Sequence, residues 1–268
     1  MTTITLLPAL TVPESGDELP IVDASEPIVE QRTKRITYAN LVAKLPKADG
    51  WIPVSDTWTY ASPNTITVPS GAGSIYSVGM GLKLKHNGTQ KWLYITKVEN
   101  TLLTHAGGSD YTLPSSGSNT LSEISYTPTP QTAVGFPVWF NWTPVWTLSG
   151  STLTTTYTTQ IGKFAMSGRV VTATFKMVLG TVSVATADRA FVIVPPVAIQ
   201  NTGSELAIGM VIYKDNGLEF IQSIAVGFST SEIRFMACLP SVGDFLGAAP
   251  LKTLATGDSL MGTVVYEA

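Results

Sequence analysis

Eight short strand-like runs fill the last two fifths of the chain, and nothing else in the sequence narrows the fold as much. They span residues 152–158, 162–166, 170–179, 189–194, 208–213, 220–228, 232–238 and 259–266. Val, Ile, Thr and aromatic residues dominate them, the types that fit a pleated surface. Turn residues separate them and no helix signal intervenes. Many short strands at short spacing predict a jelly-roll-like β-sandwich over residues 128–268. No period of 20–50 residues recurs, which argues against a solenoid or propeller.

The rest of the chain divides in two. Residues 50–127 read as a small central β-domain. Its clearest element is a hairpin: Leu82 and Leu84 alternate with Lys83 and Lys85, Asn87-Gly88 suits the positive φ angles of a tight turn, and Lys91 to Val98 returns. On the return strand Trp92, Tyr94 and Thr96 share one face. Leu93, Ile95 and Val98 indicate that the other face is also buried or paired. Gly71-Ala72-Gly73, Gly79-Met80-Gly81 and Gly107-Gly108 fit turns and bulges. None sits between a strand and a helix with a following Gly-Lys-Ser/Thr, so none reads as a phosphate loop.

Residues 1–49 form an N-terminal segment. Pro8, Pro13, Pro20 and Pro27 forbid regular helix before residue 28. Leu6, Leu7, Leu10, Val12, Leu19, Ile21 and Val22 are too apolar for a freely solvated tail. One short helix is expected from Thr37, with Leu41, Val42 and Leu45 on its apolar face and Pro46 ending it.

Composition narrows the function. Hydrophobic residues make up 44% of the chain, enough for real cores, while charged residues are only 13%, against about 25% in an average soluble protein. The polar surface therefore comes from Thr, Ser, Asn and Gln, which suits faces that end against other subunits, where unpaired charge is costly to bury. The net charge is −3 and no basic patch stands out, so no nucleic-acid partner is expected. No apolar stretch of about 18 residues exists, so no membrane insertion is expected. Residues 1–12 lack a basic region and are broken by Pro8, unlike a signal peptide. Synthesis in the cytoplasm is expected. The single cysteine, Cys238, has no intrachain partner and reads as an inert core thiol.

Leu7-Pro8-Ala9, Asp17-Glu18-Leu19-Pro20-Ile21-Val22-Asp23, Thr33-Lys34-Arg35-Ile36-Thr37 and Ala39-Asn40-Leu41 are similar to the leader of phage tail-fibre and head-fibre proteins. The C-terminal domain resembles the terminal β-domain of the same proteins through residues 157–163, 170–175, 194–198 and 262–268. The resemblance implies that the leader attaches the protein to the particle and helps chains intertwine, and that the C-terminal domain trimerises. On this basis the attachment residues are Leu6, Leu7, Leu10, Leu19, Ile21, Val22, Lys34, Arg35 and Leu41.

Chemistry has weaker claims. His86 sits at a hairpin turn and His105 precedes Ala106-Gly107-Gly108; both read as exposed loop residues, and their spacing suggests no metal site. There is no Gly-x-Ser-x-Gly and no His-Glu-x-x-His. No acidic pair stands in a groove-like aromatic context of the kind glycoside hydrolysis uses. No catalytic residue and no cofactor is expected, and a glycan-processing enzyme is the remote alternative. Trp139, Phe140, Trp142 and Trp146 form a dense aromatic cluster directly after Pro128, Pro130 and Pro137. They can stack on a host-surface glycan, but their position favours a hydrophobic plug between domains or at a trimer axis. The expectation is therefore an all-β, homotrimeric, non-enzymatic virion protein. It decorates the phage head through the major capsid protein or another virion protein. The alternative is a short tail fibre or spike whose C-terminal domain binds a receptor.

Overall fold

The structure is a computed structural model. It describes residues 16, 18–22, 33–38, 49–148, 153–184, 191–200, 206–216, 219–237 and 254–268. Strands make up 60% of it and no described helix reaches seven residues, so the molecule is nearly all-β. A hairpin of β1 (Glu18–Val22) and β2 (Thr33–Thr37) lies in the N-terminal segment. Thr37 closes β2 and Tyr38 takes up helical backbone; the rest of the expected helix lies outside the described residues.

Seven strands form the central sheet: β3 (Ile52–Pro53), β4 (Thr59–Ser62), β5 (Thr65–Thr67), β6 (Gly81–His86), β7 (Thr89–Val98), β8 (Leu102–Ala106) and β9 (Leu121–Thr127). Their order is β3-β9-β6-β7-β8-β5-β4, antiparallel throughout. The predicted hairpin is β6–β7. Asn87 and Gly88 carry φ of 49° and 80°, the left-handed pair that a two-residue turn of this kind needs. The Asn87 side chain also ties down the following loop, donating to the Ser116 carbonyl and accepting from the Thr120 N–H and the Ser118 hydroxyl. Successive side chains of a strand point to opposite faces. Leu93 and Ile95 of β7 accordingly join Leu82, Leu84, Ile66 and Leu103 in the sheet's own core, while Tyr94 faces away into a second core.

That second core belongs to the C-terminal sheet. Its strands are β10 (Phe140–Trp142), β11 (Trp146–Leu148), β12 (Leu153–Ser167), β13 (Val170–Val184), β14 (Phe191–Ile193), β15 (Leu206–Asp215), β16 (Glu219–Ser229), β17 (Glu232–Ala237) and β18 (Ser259–Glu267). They hydrogen-bond as one antiparallel sheet in the order β10-β12-β13-β18-β15-β16-β17-β14-β11. The sheet curls into a half-barrel, consistent with a β-sandwich. Trp146, Phe164, Met177, Phe191, Tyr213, Phe235 and Leu260 fill the inside.

Side chains bridge its two edges. The Tyr157 hydroxyl on β12 accepts from the Trp146 N–H (2.9 Å) and donates to the Trp146 carbonyl (3.3 Å) on β11. Gln160 Nε2 donates to the Pro144 carbonyl at 2.8 Å. Irregular register on both sides of Tyr157 lets β12 bend toward that edge. Inside the curl, Asp258 is fully buried and accepts from the Tyr213 hydroxyl (2.7 Å), the Asn216 N–H and the Ala255 N–H. Burial, together with the negative Asp258, pushes the Tyr213 phenol far above its usual range, so it remains a donor at every physiological pH.

The two sheets meet along a seam of rings. Tyr94 from β7 lies 5.0 Å from both Phe136 and Phe140, and Phe140 lies 5.6 Å from Tyr111 and from Phe164 of β12. Trp51 closes one end against Phe136, its indole N–H donating to the Val134 carbonyl. Backbone approaches backbone at the flanks. Gly79 has φ of +90°, and a Cβ there would fall 2.0 Å from the Gly168 carbonyl oxygen; one on Gly108 would fall 2.0 Å from that of Asn141. Two glycines whose pattern suggested turns thus also bring the sheets into contact. The Ser109 N–H to Asn141 carbonyl bond (2.8 Å) and the Asn141 to Asp110 bond (2.7 Å) close the same edge.

Candidate assembly surface

The four aromatic residues singled out in the sequence do not act together. Phe140 is fully buried at the centre of the inter-sheet seam. Trp146 belongs to the interior of the C-terminal sheet, 5.0 Å from Phe191 and 6.1 Å from Tyr213. Trp142 packs on the bare backbone of Gly162, where a Cβ would meet its indole Nε1 at 2.5 Å. Only Trp139 is open, 43% exposed beside Val138 at 76%.

The two histidines depart from expectation: neither is an exposed loop residue. His86 ends β6 and His105 lies within β8, and both are buried. Turn position misled the reading of His86, because its ring stacks on Tyr60 at 5.5 Å. His105 points from a strand into packed surroundings, where its Nε2 finds no partner. Burial pushes the His105 pKa down to about 4. Burial also lowers that of His86, with the positive Lys91 adding to the effect and Asn119 opposing it. Among the described residues no group of three or more His, Cys, Asp or Glu is placed to hold a metal ion.

Among the described residues, clefts run between the sheets, and two of them are lined in part by His, Lys or Arg side chains. One of about 520 Å³ is lined by His105, Gly108, Trp142, Val145 and Pro195, among others. Two polar atoms of its lining residues, His105 Nε2 and Trp142 Nε1, are sealed from solvent and have no hydrogen-bond partner. The other, of about 720 Å³, is bordered by Lys97 and Arg169. Both cations are already paired, with Glu99 and Glu267 respectively.

The leader residues have a mixed outcome. Leu6, Leu7, Leu10 and Leu41 lie outside the described residues. Leu19, Ile21 and Val22 stand on β1, and Lys34 and Arg35 on β2, with Ile21 opposite Lys34. Leu19 is exposed. Arg35 donates to Glu18 across the hairpin at 2.6 Å, an exposed pair of little energetic weight.

The largest unmet demand lies elsewhere, on the outer face of the C-terminal sheet, which the sequence analysis did not single out. Directly paired residues of antiparallel strands share a face. The register therefore lines up Ile161, Lys176, Met261, Ile212 and Gln222 in one row. Lys163, Thr174, Thr263, Met210, Ile224 and Met236 form the next. Met210, Ile212 and Ile224 are exposed, as are the nearby Phe220 (70%) and Val265. The signal was present: residues 210–213 run Met-Val-Ile-Tyr without alternation, as in a strand covered on both faces.

No protein-family model, no curated protein and no solved structure matches this chain.

Proposed function

We propose that the protein is a non-enzymatic structural component of a tailed-phage particle, a homotrimeric decoration of the head shell anchored through its N-terminal segment. The observation that carries this proposal is the outer face of β18, β15 and β16. Among the described residues its apolar side chains Met210, Ile212, Phe220, Ile224 and Val265 stand exposed. A surface of that kind is costly in a lone soluble protein and ordinary in an assembled one. The low share of charged residues and the aliphatic leader, with Leu6, Leu7, Leu10, Leu19, Ile21, Val22 and Leu41, support the same reading. In it, the C-terminal sheets of three copies associate, and three leaders bind the major capsid protein or a neighbouring virion protein, gaining strength through multivalency.

A short tail fibre or spike is the second reading. It is favoured by one observation, the open apolar cluster of Val138 and Trp139, which suits a contact with a receptor or its glycan. One experiment separates the two. Particles lacking the protein are heated and tested for adsorption. Decoration predicts a lower shell melting temperature with normal adsorption, and a tail spike predicts the reverse. A chain beginning at residue 50 tests the anchor, since both cores lie within residues 51–268. It is expected to lose particle binding; binding at the level of the full chain rejects the anchor.

A further inference from the structure

Charge singles out what covers the open sheet face. Its apolar centre, Met210, Ile212, Ile224 and Met261, is bordered by Lys163, Lys176 and Lys214. Lys163 and Lys176 are exposed and form no ion pair among the described residues, and Lys214 lies over the Phe220 ring at 5.6 Å. Glu232 and Glu267 share this side of the sheet, but Arg234 and Arg169 neutralise them. The face therefore combines an oily centre with an uncompensated positive border. Its complement is a segment that is both aliphatic and acidic.

The chain contains one such segment. Residues 14–31 hold six carboxylates, Glu14, Asp17, Glu18, Asp23, Glu26 and Glu30, and no Lys, Arg or His; Glu18 is paired with Arg35 across the β1–β2 hairpin, which leaves five for the lysines. Leu19, Ile21, Val22, Ile28 and Val29 are interspersed among them. Residues 1–13 carry no charged side chain at all. Within one chain the two surfaces leave each other open, since Leu19 on β1 is exposed and so are Met210 and Ile212.

We infer that residues 14–31 of one copy pack on the outer face of β18, β15 and β16 of a neighbouring copy. Aliphatic residues meet the centre and carboxylates meet Lys163, Lys176 and Lys214. The inference rests on the assembly reading above and divides the leader: residues 14–31 link copies, and residues 1–13 are left for the particle. Opposite charges around an apolar centre also fix which segment binds and in which register.

The test uses the full chain. Natural-abundance and 15N-labelled protein are unfolded and refolded together, then treated with a carbodiimide that joins carboxylates to ammonium groups. Mass spectrometry is expected to find mixed-isotope peptides linking Lys163, Lys176 or Lys214 to a carboxylate of residues 14–31. Replacing the apolar centre while leaving the reactive lysines in place, Met210→Glu with Ile212→Glu, should lower that yield roughly tenfold, with thermal melting of the fold unchanged. Links confined to one isotope, or links from these lysines only to other regions, overturn the inference. Its failure is distinct from failure of the anchor. Crosslinks with normal particle binding by the chain from residue 50 leave the strap and remove the anchor. Lost binding without crosslinks does the opposite.

Discussion

β7 and β15 are alike in sequence and unlike in surroundings. Each is apolar on both faces, Trp92, Leu93, Tyr94 and Ile95 in one and Met210, Val211, Ile212 and Tyr213 in the other. In β7 the chain covers both faces itself: one lies on the central sheet's own core and the other on Phe136, Phe140 and Phe164. In β15 Val211 and Tyr213 are covered, while Met210 and Ile212 between them face outward. The same pattern therefore has two outcomes. Where a second sheet is present within the chain, the strand becomes a seam. Where none is, the strand offers an interface. The comparison teaches that a continuous apolar strand specifies a partner on each face without specifying whose residues supply it.

Phe140→Ala breaks the covered side of the comparison and carries the largest expected effect. It leaves a cavity among the four rings of Tyr94, Tyr111, Phe136 and Phe164 and should cost about 4 kcal/mol in urea unfolding at neutral pH. A loss below about 1 kcal/mol would mean that the seam is loosely packed.

Acid strikes the same region from within. The folded pKa of His105, about 4, lies below an unfolded value near 6.5. Between those values the unfolded chain binds more protons. The stability linked to His105 is thus fully present above about pH 6.5 and is lost as pH falls toward 4, by about 3 kcal/mol in all. His86, also lowered, adds to the loss in the same direction. His105→Phe removes the unpartnered Nε2 along with the titration, and its unfolding midpoint should change less between pH 7 and pH 4.5 than that of wild type. Equal slopes would show that His105 is solvated.

Tyr157→Phe sharpens the view of the curl. It strips the bridge between β12 and β11 of one donor and one acceptor and should cost about 1–2 kcal/mol, read as a lowered melting temperature. The smallest stability change is expected on the open side. Ile212→Thr removes an outward side chain and should shift unfolding of the single chain by less than about 0.5 kcal/mol, while weakening self-association. A core-sized loss from Ile212→Thr in dilute protein would place the residue inside the fold.

Much of the fold was legible from local pattern. The β6–β7 hairpin follows from alternation and Asn87-Gly88. The strand runs of the C-terminal domain match β12 to β18, with one merger: runs 152–158 and 162–166 form the continuous β12, because Gly162 makes room for Trp142 instead of breaking the strand. What stayed illegible depends on residues distant in sequence. Nothing near Gly79 or Gly108 announces that Gly168 and Asn141 will press against them. Nothing near His105 announces its burial. The aromatic run 139–146 looked like one feature, yet alternation and the turn after β10 send its members to different surroundings. The outer face was visible only as a missing alternation, whose meaning appears once the register shows that the neighbouring strands share it.

The direct test of the central claim is sedimentation velocity of the full chain at about 10 µM, a concentration at which a stable assembly persists, alongside the Met210→Lys, Ile212→Lys double variant. The account predicts a three-chain species for wild type and a smaller, still folded species for the variant. A wild type that sediments as a single chain, indistinguishable from the variant, contradicts it.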